Sequence, residues 1–284
     1  MTKTINFRIV VYPYDKIIDR IIDPIIKFIP GATRQLEYLE GGVNVSFFHE
    51  TMPHKGVFMS HGIADKNWRD APFIFDYEYI CVSGPLWEQK MISQGIPKEK
   101  ILVNGYTKLD ALFEEKTAKK ANSNGINLLF APTYSGFSKV AIHHNFLNEL
   151  NLPDDIKIIE SIHPGNDRYS ITYEQFKNTD VVISDCGSTL YEAWALGLPV
   201  IFPDWLVKDA ILTEYADSFE DFIYTNEIGF HALDHKDLIE KIYEAKVLGI
   251  DDRTKEFMEG IFPSELRGRS GEVTAEMLLE IANK

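Results

Sequence analysis

The residues with the most chemistry in them lie where an apolar run stops. Asp180-Val181-Val182-Ile183 reads as a strand, and Ser184-Asp185-Cys186-Gly187-Ser188-Thr189 follows as a turn of small and polar residues. Leu190-Tyr191-Glu192-Ala193-Trp194-Ala195 then continues as a helix. With Ser188 or Thr189 as the helix cap, unbonded backbone N–H groups and the positive end of the helix point at the carboxyl end of the strand. That arrangement takes an anion, a phosphate or diphosphate, with Glu192 one turn further in, near enough to bond a ribose. The same turn also serves as an ordinary capped helix of any α/β protein. Three more strand ends carry reactive side chains: Ser60-His61-Gly62, Phe130-Ala131-Pro132-Thr133 and Ile162-His163-Pro164. Histidine titrates near neutrality, so His61 and His163 could take a proton from a hydroxyl or steady a phosphate. Each also reads as a hydrogen-bonded structural histidine.

Such ends need a scaffold of strands. Short apolar runs alternate with longer amphipathic ones, the pattern of parallel α/β layers. The spacing predicts strands over 5–12, 43–48, 56–59, 79–83, 101–104, 126–131, 156–162, 180–184 and 199–202. Helices are predicted over 15–28, 85–94, 108–116, 138–150, 188–196, 236–248 and 272–283. The polar stretch 114–125 reads as a linker, which divides the chain into two Rossmann-like domains, 1–117 and 118–284, with the last helix of the second a candidate to cross back. The fold expected is α/β, two Rossmann-like domains facing across a cleft.

The chain has 284 residues, 45% of them hydrophobic, enough for one or two full cores. Lys and Arg number 29 against 43 Asp and Glu, a net charge of −14. A surface of that sign repels nucleic-acid phosphates, so stable nucleic-acid binding is not expected. Two cysteines, Cys81 and Cys186, make neither a disulfide framework nor a cysteine zinc site. His143 and His144 are adjacent and point to different sides of a helix, so no metal ligand fork follows. No basic leader or long apolar span is evident, and the expected location is cytoplasmic, with peripheral membrane or homodimer association left open.

The order strand, D-x-G-S-T, E-A-x-x-x-G-x-P-V-I resembles the donor half of GT-B glycosyltransferases and their nucleotide-sugar epimerase relatives. The ordered set of HG, APT, HP and D-x-x-S motifs looks most like the CDP-glycerol glycerophosphotransferase family of teichoic-acid synthesis, over about Val57 to Phe202. That resemblance implies His61 as base for an acceptor hydroxyl and His163 as a catalytic contact for donor phosphate. It also implies Gly62, Thr133, Asp185, Gly187, Ser188 and Thr189 around the donor, Glu192 on its ribose, and Arg269, in a Gly/Ser turn before the last helix, as a further anion contact. No metal and no cofactor is required, since positioned dipoles and cations suffice for a diphosphate leaving group. The family has basic residues after its HP and APT motifs. Here Gly165, Asn166, Asp167, Tyr134 and Ser135 stand there, which leaves Arg168, Lys139 or no cation at all. The function implied is transfer of a glycosyl or glycerol-phosphate group from a nucleotide-diphosphate donor to an acceptor hydroxyl. The alternatives are a UDP-sugar epimerase-like enzyme and a catalytically silent nucleotide-binding scaffold.

Overall fold

The computed structural model describes residues 2–9, 15–66, 72–114, 125–133, 140–142, 146–161 and 172–284. The chain forms two compact units. Unit 1 comprises Met1–Ile63, Asp70–Lys116 and Glu259–Lys284; unit 2 comprises Ala64–Arg69 and Thr117–Met258. The expected last helix, grouped by sequence with 118–284, is thus part of unit 1.

The chain runs through β1 (Ile5–Phe7), α1 (Asp15–Ile26), β2 (Thr33–Arg34), β3 (Val43–Ser46), β4 (Val57–Met59), β5 (Tyr79–Val82), α2 (Pro85–Ser93), β6 (Ile101–Val103) and α3 (Asp110–Glu114). Then come β7 (Ile126–Phe130), α4 (Phe146–Glu149), β8 (Ile156–Glu160), α5 (Thr172–Gln175), β9 (Val181–Ile183), α6 (Ser188–Ala195) and β10 (Val200–Pro203). Last are α7 (Asp204–Glu214), α8 (Phe219–Asn226), β11 (Phe230–Ala232), α9 (His235–Leu248), α10 (Asp252–Ile261) and α11 (Ser270–Ala282).

Among the described residues, unit 1 holds one parallel sheet in the order β2-β1-β3-β4-β5-β6. The strands β4, β5 and β6 are near-continuous apolar runs, as expected where helices cover both faces of such a sheet, whereas β3 carries the buried Asn44 and Ser46. Ile18, Ile21, Ile22 and Ile25 recur on one side of α1 and are buried against Phe7, Val45 and Val57. The C-terminal α11 joins the same core through Ala275, Leu278 and Ile281. It lies so near α1 that a Cβ on Gly271 would come within 2.3 Å of the Pro24 carbonyl oxygen.

Unit 2 holds a parallel sheet in the order β11-β10-β9-β7-β8. Leu128, Leu129, Phe130, Val181, Val182, Ile183, Val200, Ile201 and Phe202 have no solvent exposure. When their strands are counted from the first, unit 2 follows the doubly wound order 2-1-3-4-5 and unit 1 the same order extended by a sixth strand. Each therefore has one point where successive connections leave in opposite directions, and the crevice outside the carboxyl ends of the strands there is where open α/β sheets bind ligands. That switch point lies between β1 and β3 in unit 1 and between β7 and β9 in unit 2.

The expected helix over 138–150 is not continuous. Val140 is in a turn, Ala141 and Ile142 are irregular, and among the described residues of this stretch only Phe146–Glu149 is helical. Val140 and Ile142 are buried, and the Ile142 N–H is given to a side chain rather than to a helix, so the apolar spacing there reports burial. The helices α5, α7, α8 and α10 and the strands β2 and β11 lie outside the elements expected from the spacing. Among the described residues, no helix is long and apolar enough to cross a membrane.

Candidate functional site

The turn after β9 is held by its own aspartate. Asp185 is wholly buried, and its carboxylate accepts the Thr133 N–H on both oxygens at 3.0 Å, the Ile142 N–H at 3.2 Å and the Cys186 N–H at 2.6 Å. One side chain thus ties the ends of β7 and β9 together across the unit 2 switch point. Asp185, expected at the donor, faces backbone donors and acts on the shape of the turn.

The helix that follows starts differently from the expectation. Its cap is Gly187, in extended backbone with no side-chain cap, and Ser188 is its first helical residue. The Ser188 hydroxyl instead accepts the Ala64 N–H at 3.3 Å. Gly187 carries no side chain to cap α6, its carbonyl accepts the Leu190 N–H at 3.3 Å, and the positive end of the helix dipole lies at the switch point. A Cβ on Gly187 would stand 3.3 Å from Thr133 Oγ1, so a glycine lets turn and strand end approach. Ser188 and Thr189 are half-buried, whereas Glu192 is only 2% exposed.

A cation sits in this turn, and the sequence reading had not selected it. Lys66 donates from Nζ to Thr133 Oγ1 and lies 3.6 Å from Cys186 Sγ. Burial alone would lower its pKa, but its acidic surroundings, Asp185 and Glu220 among them, outweigh that and hold it above the ordinary lysine value. Burial also pushes the Cys186 thiol up to about 12, so it is a neutral partner. The signal available in the sequence was position: Lys66 follows His61 by five residues in His61-Gly62-Ile63-Ala64-Asp65-Lys66. Residues 139 and 168, the cations considered from sequence, lie outside the described residues, as does His163.

His61 belongs to unit 1, just past β4 and beside the end of β3. Its Nδ1 is 3.3 Å from the Phe47 carbonyl oxygen and its ring stacks on Phe48, centroids 4.3 Å apart. A carbonyl facing Nδ1 makes that nitrogen the N–H donor and leaves the basic lone pair on Nε2. Burial, helped by the charge of Lys108 and opposed by the Phe47 carbonyl, lowers the ring to about 4, so it is neutral at physiological pH. The Gly62 N–H bonds the Ser60 hydroxyl at 3.2 Å. Tyr106 donates its O–H to the His61 carbonyl at 3.2 Å.

Arg269 also belongs to unit 1, where its guanidinium pairs with Glu272 at 3.1 Å and is largely exposed. The N-terminus of α11 beside it is already filled. The Asp110 carboxylate accepts the Ser270 N–H at 3.3 Å and the Gly271 N–H at 2.6 Å. Among the described residues, no three His, Cys, Asp or Glu side chains converge as a metal site would need.

No family model matches the chain, and no curated protein matches it. Solved structures do. The wall teichoic acid polymerase TagF superposes with a TM-score of 0.68 at 15% identity, over 99% of this chain and 89% of that one. A UDP-GlcNAc 2-epimerase from Neisseria meningitidis, bound to UDP-GlcNAc, superposes at 0.58 and 12% identity over 99% of this chain and 100% of that one. A putative UDP-N-acetylglucosamine 2-epimerase from Listeria monocytogenes gives 0.58 at 11% identity over 100% and 98%. The class defined by these is architectural: two parallel-sheet α/β units in the GT-B fold, as the sequence pattern predicted.

Proposed function

We propose that the chain is a GT-B-type transferase that moves a glycosyl or glycerol-phosphate group from a nucleotide-diphosphate donor to an acceptor hydroxyl. The observation that carries this reading is the unit 2 turn, where the Asp185 clamp presents the uncapped start of α6 and Lys66 supplies a positive charge beside it. Phosphate oxygens are the ligand such a combination suits. Thr133, Gly187, Ser188 and Thr189 would line the donor phosphates. Glu192 would reach a ribose only if that part of the unit opens, because it is buried.

His61 would be the base, taking the acceptor's proton on Nε2. With a sugar donor, the acceptor oxygen bonds to the anomeric carbon, the bond from that carbon to the diphosphate breaks and a nucleoside diphosphate leaves. With CDP-glycerol, the oxygen bonds to phosphorus, the anhydride bond breaks and CMP leaves. Either way, negative charge grows on the departing phosphate, where Lys66 and the α6 N–H groups act. The GT-B neighbours named for a polymerase and for UDP-GlcNAc epimerases are consistent with a nucleotide-linked donor.

A thermal-shift panel of CDP, UDP, GDP, ADP, CDP-glycerol and UDP-, GDP- and CMP-sugars tests the reading, since a ligand at 100 times its Kd stabilises by about 2.7 kcal/mol. Stabilisation by CDP-glycerol with CMP release assigns the phosphotransferase reaction, and stabilisation by one sugar nucleotide with acceptor-dependent NDP release assigns a glycosyltransferase. Release of UDP and free sugar without acceptor makes the enzyme epimerase-like. No shift with any of them leaves a scaffold.

A further inference from the structure

Lys66 reaches the turn because the residues before it are strapped down. Ala64 bonds Ser188 as described. Asp65 donates its N–H to Glu220 Oε1 at 3.0 Å and accepts the N–H of Phe219, the first residue of α8, on Oδ2 at 2.8 Å. The same Glu220 Oε1 accepts the Tyr191 O–H at 2.7 Å, and Tyr191 stands on α6. Glu220 thus holds the strap with one oxygen and the donor-side helix with the same atom.

The rest of Glu220 is an odd choice for packing alone. It is wholly buried, Asp65 beside it is 2% exposed, and Glu220 Oε2 has no hydrogen-bond partner among the described residues. Burying a carboxylate oxygen without a donor, next to a second carboxylate, is costly. The arrangement makes sense if the carboxylate holds something that must stay put.

We propose that Glu220 is the positioning residue of the donor site: it ties the 64–66 strap to α6 so that the Lys66 ammonium stays at Thr133 and Cys186, although Glu220 itself touches no substrate. This rests on the donor-phosphate reading above, which gives Lys66 its purpose. The strap has a pH dependence whose sign follows from burial. Glu220 faces Asp65 and Lys66 from the strap, Tyr191 from α6, Cys186 from the turn and Tyr224 from α8 itself. Burial first, then the charge of Asp65, raises its carboxyl to about 7. Released to solvent it titrates in the ordinary carboxyl range, about 4. The docked strap therefore holds the proton better, is tightest at low pH and loosens as pH rises through 7.

Two variants test this. Glu220→Gln keeps an acceptor oxygen for both donors and abolishes the titration; Glu220→Ala removes the acceptor. Two readouts need no ligand: amide exchange at 64–66, corrected for intrinsic rate, and acylation of Lys66 by an amine-reactive ester, followed by mass spectrometry. Calorimetry with CDP, UDP and inorganic pyrophosphate reads the donor site. Glu220→Ala should raise exchange and acylation at least about tenfold and weaken nucleotide binding by a similar factor, the loss of one strong buried hydrogen-bonding group. Glu220→Gln should keep the strap while removing the rise in exchange expected around pH 7 in the unaltered chain. Unchanged Lys66 acylation in a folded Glu220→Ala protein overturns the proposal. So does a strap in the unaltered chain that shows no pH response between 5 and 8, a measurement that stands even if the alanine variant fails to fold. If the unaltered chain binds no nucleotide or pyrophosphate while the strap still loosens in Glu220→Ala, the hold of Glu220 on Lys66 is supported and the donor reading is overturned.

Discussion

The N–H of Thr133 points between the two carboxylate oxygens of Asp185, 3.0 Å from each, and this one contact joins the ends of β7 and β9 at the switch point of unit 2. Everything proposed for the donor depends on it, because Lys66 bonds the side chain of the same threonine.

Asp185→Ala should therefore damage stability first. It leaves the N–H groups of Thr133, Ile142 and Cys186 buried without their acceptor, a loss of about 3 to 5 kcal/mol. Calorimetry should show unit 2 melting roughly 10 °C lower. A melting temperature within about 2 °C of the unaltered chain would show that backbone or water replaces the carboxylate.

Lys66→Met should act on binding. Removing one charged donor to phosphate should weaken CDP or UDP about 10- to 100-fold and flatten the salt dependence of the affinity. Isothermal titration at two salt concentrations reads both effects. An unchanged affinity would place the donor's phosphates elsewhere.

His61→Ala should separate chemistry from binding. Turnover should fall by about 10²- to 10⁴-fold, as for loss of a general base, while nucleotide affinity stays within about twofold. The pH profile gives a second reading. In the free enzyme His61 titrates at about 4, so activity per donor encounter should persist down to about pH 5 and fall below it. Bound diphosphate adds negative charge that favours the imidazolium, so the acid limb of kcat should lie at higher pH than that of kcat/KM for the donor. Coincident limbs would exclude donor charge near His61.

Asp110 offers a stability test in unit 1. Burial raises its carboxyl to about 6 despite the Gly271 and Ser270 N–H groups it accepts. The folded pKa exceeds the unfolded value, so its contribution is fully present below about 4 and is lost as pH rises through 6. Urea denaturation from pH 4 to 7 should show the stability of the unaltered chain falling relative to Asp110→Asn over that window. A constant difference would mean that the carboxyl titrates normally.

The fold was largely legible in local pattern. Runs such as Val181-Val182-Ile183 and Leu128-Leu129-Phe130 are apolar throughout because both faces of a parallel strand are covered, and the abrupt change to small or polar residues marks each carboxyl end. Val140 and Ile142 misled for the same reason: burial without regular structure leaves the same apolar spacing as a helix. The site was legible only in part. His61, Thr133, Asp185 and Ser188 stand out by type and by place at strand ends, but neither the Asp185 bonds to three backbone N–H groups nor the Ser188 bond to Ala64 has a local signature.

By itself the sequence determined most of the strands and the helices that follow them at the strand ends, and hence a parallel α/β chain with reactive residues there, because hydrophobic period and turn chemistry act between near neighbours. Tertiary structure alone decided the strand order, and with it which ends flank a switch point. It also decided that Lys66 meets Thr133 and that Asp65 meets Glu220, pairs 67 and 155 residues apart. Contacts at such separations arise from packing the sheets and their helices, and no short-range pattern encodes them.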